Sequence, residues 1–217
     1  MGLFSALLDL LYPPRCVFCR RLLPSSGSGI CLDCKRVIPR TEHGGTKRGY
    51  RFSRCAAPLY YEGPVRASLL RYKFGGLSLY AETYGPLLAD CIRENLAGSY
   101  DRITWVPLSR ERLRRRGYDQ ARLLAESAAA ALGTRAVPLL EKPRNTQRQS
   151  GTGAAQQRRA NIAGAYRAAA PELTAGARIL LIDDIVTTGA TMDECAGVLL
   201  DAGAADVVCA ALAVTRD

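Results

Sequence analysis

Several features that would assign the chain to a large functional class are missing from its 217 residues. No Gly-Lys dipeptide occurs, so the phosphate-binding loop of nucleoside triphosphatases is absent. No Gly-x-Gly-x-x-Gly follows a predicted strand, which disfavours a dinucleotide-binding fold. No apolar run approaches the ~20 residues of a membrane span, and residues 1–11 lack a basic leader and a small-x-small cleavage site. We therefore expect a cytoplasmic protein without a membrane span.

Lysine and histidine are scarce as well. The chain has 4 lysines and 1 histidine against 26 arginines, and its formal net charge is +10. The planar guanidinium of arginine offers a fork of donors that matches phosphate geometry. The arginines crowd two stretches, 110–116 and 144–159, that flank predicted strand ends. This clustering favours a polyanionic ligand, either pyrophosphate or nucleic acid.

Predicted strands and helices alternate over most of the chain, which indicates an α/β fold with a parallel sheet flanked by helices. A hydrophobic content of 48% is enough for a sizeable core. The predicted strands are 57–61, 103–106, 137–140, 163–166, 178–182 and 207–214, and three predicted helices are 64–74, 80–96 and 119–132. We assign 1–56 to an N-terminal helix, a small zinc ribbon and a connector, and 57–217 to the α/β domain.

The zinc ribbon is predicted from two Cys-x-x-Cys pairs, Cys16 with Cys19 and Cys31 with Cys34. The eleven residues between the pairs are rich in serine, glycine and proline, which suits a short hairpin. Two such knuckles place four thiolates around one tetrahedral zinc ion. Four protein ligands leave no position for a reactive water, so we expect a structural metal. A pair of disulfides is the alternative, and a reducing cytosol argues against it.

The most informative segment is 179–191, in which an apolar run meets two acids and a loop rich in threonine. Four consecutive apolar residues are typical of a strand buried on both faces. Asp183 and Asp184 follow them, and after the loop apolar residues recur at helical spacing up to Gly203. A helix that begins in this loop would direct backbone N–H groups and the positive end of its dipole at a ligand.

The two halves of the segment suit two parts of one ligand. The threonines of the loop add hydroxyl donors, and Gly189 lets the backbone approach closely, which suits a phosphate. The two acids suit vicinal hydroxyls or a hydrated cation, and as neighbours in an extended segment they point to opposite sides. A sugar 5-phosphate is the simplest molecule that satisfies both halves. The alternative is an ordinary strand–turn–helix with a Thr188 cap and solvated acids.

The segment resembles the motif with which type I phosphoribosyltransferases bind phosphoribosyl pyrophosphate (PRPP). In that family the two acids hold the ribose hydroxyls and the loop holds the 5-phosphate. The resemblance implies that Asp183 and Asp184 orient the ribose at the catalytic centre, with Mg²⁺ as the companion of PRPP. It implies that the phosphate is bound by Thr187, Thr188, Gly189, Ala190 and Thr191.

Other blocks make the chain similar to the ComF family, in which a zinc ribbon precedes a phosphoribosyltransferase-like domain and which is linked to natural competence. These blocks are Tyr61–Arg66, Lys73 and Gly75; Val106–Arg110 and Arg116–Gln120; and Gln149, Arg159, Asn161 and Tyr166. The resemblance implies a pyrophosphate loop over 106–120 and a flexible loop over 144–161. It makes Lys73, Val106, Pro107, Arg110 and Gly117 further PRPP-binding residues, and Arg116 the cation that neutralises the departing pyrophosphate.

The chain departs from these families in two places. Many ComF relatives carry a second ribbon, whereas only Cys55 stands where one could be, so we expect one zinc ion. Purine-salvage enzymes often have aspartate as general base where this loop has Thr187, which cannot act as a base at neutral pH. Purine salvage is therefore not implied.

Two functions from different classes remain. The first is transfer of a phosphoribosyl group from PRPP with release of pyrophosphate, through an oxocarbenium-like state favoured by positioning and charge neutralisation. The second is a non-catalytic accessory role in DNA uptake. In that role arginines would bind the backbone of single-stranded DNA, and Tyr50 and Tyr118 would stack on its bases. A weaker third reading makes the ribbon a docking platform for a DNA-uptake helicase.

Overall fold

Helices and strands alternate along the computed structural model, which describes residues 13–24, 28–143 and 164–216. The helices are α1 (Leu32–Val37), α2 (Gly63–Phe74), α3 (Tyr80–Leu96), α4 (Arg110–Arg116), α5 (Gln120–Ala131), α6 (Pro171–Thr174) and α7 (Ala190–Asp201). The strands are β1 (Arg54–Ala56), β2 (Leu59–Tyr60), β3 (Arg102–Trp105), β4 (Leu140–Glu141), β5 (Arg167–Ala168), β6 (Arg178–Val186) and β7 (Asp206–Val214). No helix in these ranges is both long and apolar enough to cross a membrane.

The main sheet is parallel and has the order β1–β7–β6–β3, with β2 also paired to β7. Strand β6 lies in its centre, paired with β7 over its full length and with β3 up to Ile182. A parallel bridge from Ile103 to Ala136 adds a short segment beyond β3. Strands β4 and β5 form a separate antiparallel pair. The predicted parallel sheet with flanking helices is confirmed.

The sheet is buried on both faces, as its apolar strands predict. Leu180 and Ile182 of β6 pack in one core with side chains of α2, α3 and α5. Ile179 and Leu181, which point the other way, pack in a second core with Cys195 and other side chains of α7. Each such side chain contributes roughly 1.5–3 kcal/mol when it leaves water, so the central strand is firmly held.

The cysteine-rich ribbon packs directly on this domain. Val17 and Phe18 belong to the same core as Tyr84 of α3, and the Phe18 and Tyr84 rings lie 6.2 Å apart. Ser68 and Arg71 of α2 donate hydrogen bonds to the Val17 carbonyl, and Arg71 also donates to the carbonyl of Phe18. One continuous core therefore includes both parts.

Several element boundaries differ from the sequence-based prediction. The strand expected over 178–182 continues to Val186, so both acids lie within it. The strand expected over 163–166 is instead β5, because the chain pairs with β4 only from Arg167 onward. Of the strand expected over 137–140, only Leu140 lies in a strand, at the start of β4. The segment still follows β3, because the Val137 N–H donates to the Ile103 carbonyl at 2.8 Å, but the Leu139 N–H donates to the Thr104 hydroxyl instead of to a backbone carbonyl.

Two further differences concern the ends of the predicted units. Strand β1 pairs with β7, so the sheet begins at Arg54, inside the segment assigned to the N-terminal unit. The predicted loop 106–120 contains α4, which Ser109 caps by accepting a hydrogen bond from the Arg112 N–H. The predicted N-terminal helix over 1–11 and flexible loop over 144–161 lie outside the described residues.

Candidate functional site

The loop after β6 forms a small pocket at the amino end of α7. Residues 187–189 connect the two elements, and the pocket, with a volume of about 70 Å³, is lined by Asp183 and residues 185–192. Gly189 has a φ of 77°, a left-handed conformation that favours glycine. Because the first N–H groups of a helix have no acceptor within it, this pocket offers donors and a positive dipole end. The predicted phosphate-binding residues are thus brought together.

The two acids of β6 have different surroundings. Asp184 is buried, and its Oδ2 lies 3.0 Å from Nζ of Lys73 at the end of α2. Asp183 lines the small pocket, and its Oδ1 accepts a hydrogen bond from the Asp184 N–H at 2.7 Å. Burial and the neighbouring Asp184 carboxylate raise the pKa of Asp183 well above its usual value. A ligand hydroxyl or a cation beside Asp183 would favour the charged form again.

Strands β3 and β6 separate just before these acids. The Val106 N–H still donates to the Ile182 carbonyl at 2.9 Å, but Pro107 has no N–H to offer. The next N–H, on Leu108, donates at 3.0 Å to the carboxylate of Asp119 instead of to β6. The same carboxylate caps α5 by accepting from the Arg122 N–H, and burial raises the pKa of Asp119. Asp119, which the sequence analysis named within the block Arg116–Gln120 without giving it a role, therefore shapes the segment 106–110.

A larger cavity, of about 640 Å³, lies between this segment and the β4–β5 pair. Its lining includes three residues predicted to bind PRPP, namely Pro107, Arg110 and Gly117. It also includes Lys142, which directly follows β4 and is 7% exposed. Nζ of Lys142 donates to the Tyr166 hydroxyl at 2.8 Å, and burial lowers the pKa of this lysine to about 8.

Arg116 is placed apart from that cavity. Its Nη1 donates to Oε1 of Gln120 at 2.7 Å, and its guanidinium lies 5.0 Å from the centre of the Phe74 ring. The side chain thus holds the end of α4 against α2 and α5.

Lys142 was missed by the sequence analysis, and its only signal there is that lysine is rare in this chain.

The four cysteines of the two Cys-x-x-Cys pairs form one cluster. All are free thiols, their sulfur atoms lie within 4.8 Å of one another, and those of Cys19 and Cys31 are 3.6 Å apart. Four sulfur ligands at ~2.3 Å from a tetrahedral zinc ion are about 3.8 Å from one another, so the cluster fits zinc. Burial and the neighbouring cysteines raise the pKa of Cys34, whereas at Cys16 the backbone N–H groups of Cys19 and Cys31 outweigh burial and lower the pKa to about 7. Of these two thiols, Cys16 alone favours the thiolate that zinc requires before the metal binds.

The connector after the ribbon lies against the loop that joins β6 to α7. Nζ of Lys47 donates to the Thr187 carbonyl at 3.1 Å. The N–H groups of Tyr50 and Arg51 donate to Oδ1 of Asp193, in the first turn of α7, at 2.7 and 2.9 Å. The Tyr50 side chain is 92% exposed, whereas Tyr118 is half-buried, with its hydroxyl bonded to the Tyr72 carbonyl. Of the two tyrosines predicted to stack on bases, Tyr50 alone is fully accessible.

Comparison with known proteins supports both the cysteine-rich ribbon and the α/β domain. Residues 119–217 match the family model described as a phosphoribosyl transferase domain, and residues 7–64 match one described as a double zinc ribbon domain. The chain has five cysteines and one histidine within 7–64, and its described part contains a single cluster of four. The fifth, Cys55, is buried in β1 beside Met192. The predicted structural zinc site is supported.

Relatives of similar length are found among curated bacterial proteins. Competence protein F of Haemophilus influenzae is 28% identical over 89% of this chain and 93% of its own length. The DNA utilization protein YhgH of Salmonella typhi is 30% identical, covering 91% of this chain and 96% of that protein. Competence protein ComFC of Streptococcus pneumoniae is 29% identical, covering 94% and 90% respectively.

Proposed function

Since this chain belongs to the ComF family, we propose that it serves in DNA uptake or utilization as a protein that binds a phosphorylated pentose. The ligand is PRPP or ribose 5-phosphate, and the site lies at the end of β6. One observation carries the proposal: the Asp183 carboxylate and the amino end of α7 line the same pocket. Hydroxyl recognition and phosphate recognition therefore meet within a few ångströms, as a pentose 5-phosphate requires.

The two acids have separate tasks in this proposal. Asp183 accepts hydrogen bonds from the ribose hydroxyls. Asp184 is held by Lys73 and supports the strand from the other face. Mg²⁺, when it accompanies PRPP, would be held beside Asp183 and would supply charge neutralisation for the pyrophosphate.

Calorimetric titration with ribose 5-phosphate tests the site. We expect Asp183→Ala combined with Asp184→Ala to abolish measurable binding of both ribose 5-phosphate and PRPP, because the hydroxyls lose the Asp183 carboxylate and the strand loses its ion pair with Lys73. Asp90→Ala, at an exposed position of α3, removes the same group elsewhere and should leave the affinity unchanged. Micromolar binding by the double variant would reject the assignment.

Transfer of the phosphoribosyl group would add a chemical step to binding. The bond from C1 to the pyrophosphate oxygen breaks, a nucleophilic acceptor attacks C1, and pyrophosphate leaves with the bonding electron pair. The protein's part would be to hold the ribose at Asp183 and to neutralise the leaving charge. Thr187 offers no general base, so the proton that the acceptor loses when it bonds to C1 would go to water. Steady release of pyrophosphate with an added acceptor would identify this activity.

Direct binding of single-stranded DNA is the second candidate. The exposed ring of Tyr50 is what favours it, because this ring stands among Lys47, Arg48 and Arg51 and beside the phosphate loop. We name these four residues the connector surface. Cations that follow a phosphate backbone and an aromatic ring that accepts a base are the usual elements of single-strand binding.

A further inference from the structure

The four sulfur atoms of the zinc cluster differ in their access to solvent. Cys16, Cys31 and Cys34 are buried, whereas Cys19 is exposed. The sulfur ligands of a zinc site are deprotonated, and a thiolate that solvent reaches is the form of cysteine that oxidants attack. The fold therefore shields three ligands of the cluster and leaves the fourth accessible.

The charges around Cys19 favour its reaction. Three exposed arginines lie close to it in the sequence, namely Arg15, Arg20 and Arg21. Nη1 of Arg15 donates to the Arg20 carbonyl at 3.2 Å, and Nη1 of Arg20 donates to the Tyr80 hydroxyl at 3.2 Å, so both side chains are held beside the first knuckle. Cations around an accessible thiolate are typical of reactive cysteines.

A second thiol lies within reach of Cys19. Its Sγ is 3.6 Å from Sγ of Cys31, which belongs to the other knuckle. A disulfide bond is about 2.05 Å long, so a small movement of the exposed Cys19 side chain brings the two sulfur atoms to bonding distance. This contact joins the two knuckles of the ribbon.

We propose that Cys19 is an oxidation site, at which a peroxide converts the zinc cluster into a disulfide between Cys19 and Cys31. The Cys19 thiolate attacks one oxygen of hydrogen peroxide, the O–O bond breaks, and a sulfenic acid and hydroxide are formed. The Cys31 thiolate then attacks the Cys19 sulfur, the S–S bond forms, and a second hydroxide leaves. Both hydroxides take up protons from the solvent, and the two sulfur atoms have given two electrons to the peroxide.

The oxidation changes the support of the α/β domain. Cys16 and Cys34 remain as thiolates, and two ligands are too few for a tetrahedral zinc site. The Val17 carbonyl, inside the first knuckle, accepts hydrogen bonds from Ser68 and Arg71 of α2. The oxidised ribbon therefore holds α2 less firmly. A dithiol reductant that attacks the exposed Cys19 sulfur would restore both thiolates, so the change is reversible.

Release of zinc on addition of hydrogen peroxide, followed with a chromogenic chelator, tests the role of Cys19. Cys19→His keeps a zinc ligand but removes the accessible sulfur, so it should release zinc at least about tenfold more slowly than the wild type. Cys34→His makes the same exchange at a buried ligand, and its release rate should stay within about twofold of the wild type. Equal rates for Cys19→His and the wild type would overturn the proposal.

Peptide mapping of the oxidised wild-type chain tests the pairing, even if a variant does not hold zinc. Trypsin cleaves after Arg15, Arg20, Arg21 and Lys35, so a disulfide between the knuckles joins peptide 16–20 to peptide 22–35. A disulfide within one knuckle leaves the two peptides separate. We expect the joined form, with fragmentation placing the bond at Cys19 and Cys31, and a dithiol reductant with added zinc should return the loaded chain.

The cysteines of the α/β domain serve as the internal control. Burial raises the pKa of each and keeps it a thiol, so these four should stay unmodified: Cys55, Cys91, Cys195 and Cys209. Separate peptides 16–20 and 22–35, or zinc release while Cys19 stays reduced, would contradict the proposed pairing. Oxidation of the buried cysteines before Cys19 would show that accessibility does not select the site.

Discussion

Individual charged residues near the carboxyl end of the sheet differ in how their charge is balanced. Asp184 is 6% exposed and has Lys73 as its counter-ion, whereas Lys142 is 7% exposed and has a tyrosine hydroxyl. Removing one member of a buried ion pair costs roughly 3–5 kcal/mol, because the other charge stays behind. Removing an uncompensated charge has no such penalty. Residues of the first kind, such as Asp184, therefore maintain the fold around the site.

Gly189 provides a prediction at this scale. With φ at 77°, a side chain there strains the backbone, although a Cβ atom would lie in ordinary contact 3.5 Å from the Phe52 ring. We expect Gly189→Ala to lower the free energy of unfolding by about 1 kcal/mol and to weaken ribose 5-phosphate binding at least fivefold, because the loop must shift. Urea denaturation and calorimetry measure the two effects.

Gly133 is the matched control for that substitution. Its φ is 75° and nothing lies within 4 Å of the position of an added Cβ, but it follows α5, away from the phosphate loop. Gly133→Ala should therefore lose a similar stability and keep its affinity. Equal affinities in both variants would mean that the loop backbone does not hold the phosphate.

Among the elements, α2 connects the zinc ribbon with the proposed sugar site. Ser68 and Arg71 donate to carbonyl groups of the first cysteine knuckle. Directly after Arg71, the Tyr72 hydroxyl donates to the Gln120 carbonyl at 2.8 Å and Lys73 pairs with Asp184. The position of α2 therefore depends on both parts, and the metal is expected to stabilise the site without touching the ligand.

Removal of zinc tests this connection. We expect a chelator to weaken ribose 5-phosphate binding at least threefold, and Arg71→Met to destabilise the chain by about 2 kcal/mol through its lost hydrogen bonds to carbonyls and to release zinc more readily. Arg66→Met, on the exposed side of the same helix, should do neither. A dye-based zinc-release assay and calorimetry provide the readouts. Unchanged affinity after complete zinc removal would show that the ribbon and the site are independent.

The molecule as a whole carries a net charge of +10, and its connector surface lies next to the phosphate loop. A positive protein attracts any polyanion, so affinity for DNA is not informative without its dependence on salt and on particular residues. Tyr50 and Arg48 are both exposed and lie close together on the connector surface. Substitutions of these two residues therefore distinguish binding at this surface from a general attraction to positive charge.

The corresponding prediction concerns a single-stranded oligonucleotide followed by fluorescence anisotropy. Three cations in contact with phosphates give a slope of about −2 for the logarithm of affinity against the logarithm of salt concentration. Tyr50→Ala should weaken binding about tenfold through lost stacking, and Arg48→Ala should reduce the slope. Arg135→Ala removes the same charge at the far end of α5 and serves as control. A flat response to salt, or equal effects of the two arginine variants, would reject the connector surface.

Local sequence signals predicted much of this architecture. The apolar runs of β6 and β7 identify strands because both faces are buried, and α2 and α3 were predicted within a residue because helical spacing ends at glycine or alanine. Helix α4 was missed because its Arg-rich sequence has no buried face. The pairing of Lys73 with Asp184 and the burial of Lys142 depend on residues distant in the sequence, so no local pattern predicts them.

The separation of β3 from β6 has a consequence for the thermodynamics of binding. Pro107 ends the ladder and Asp119 takes the next N–H, so the opening beside the acids exists before any ligand arrives. It is framed by strands and helix ends whose conformational entropy was already lost on folding. Little further ordering of these residues is needed at the proposed pentose subsite, so we expect its occupation to carry only a small penalty in conformational entropy.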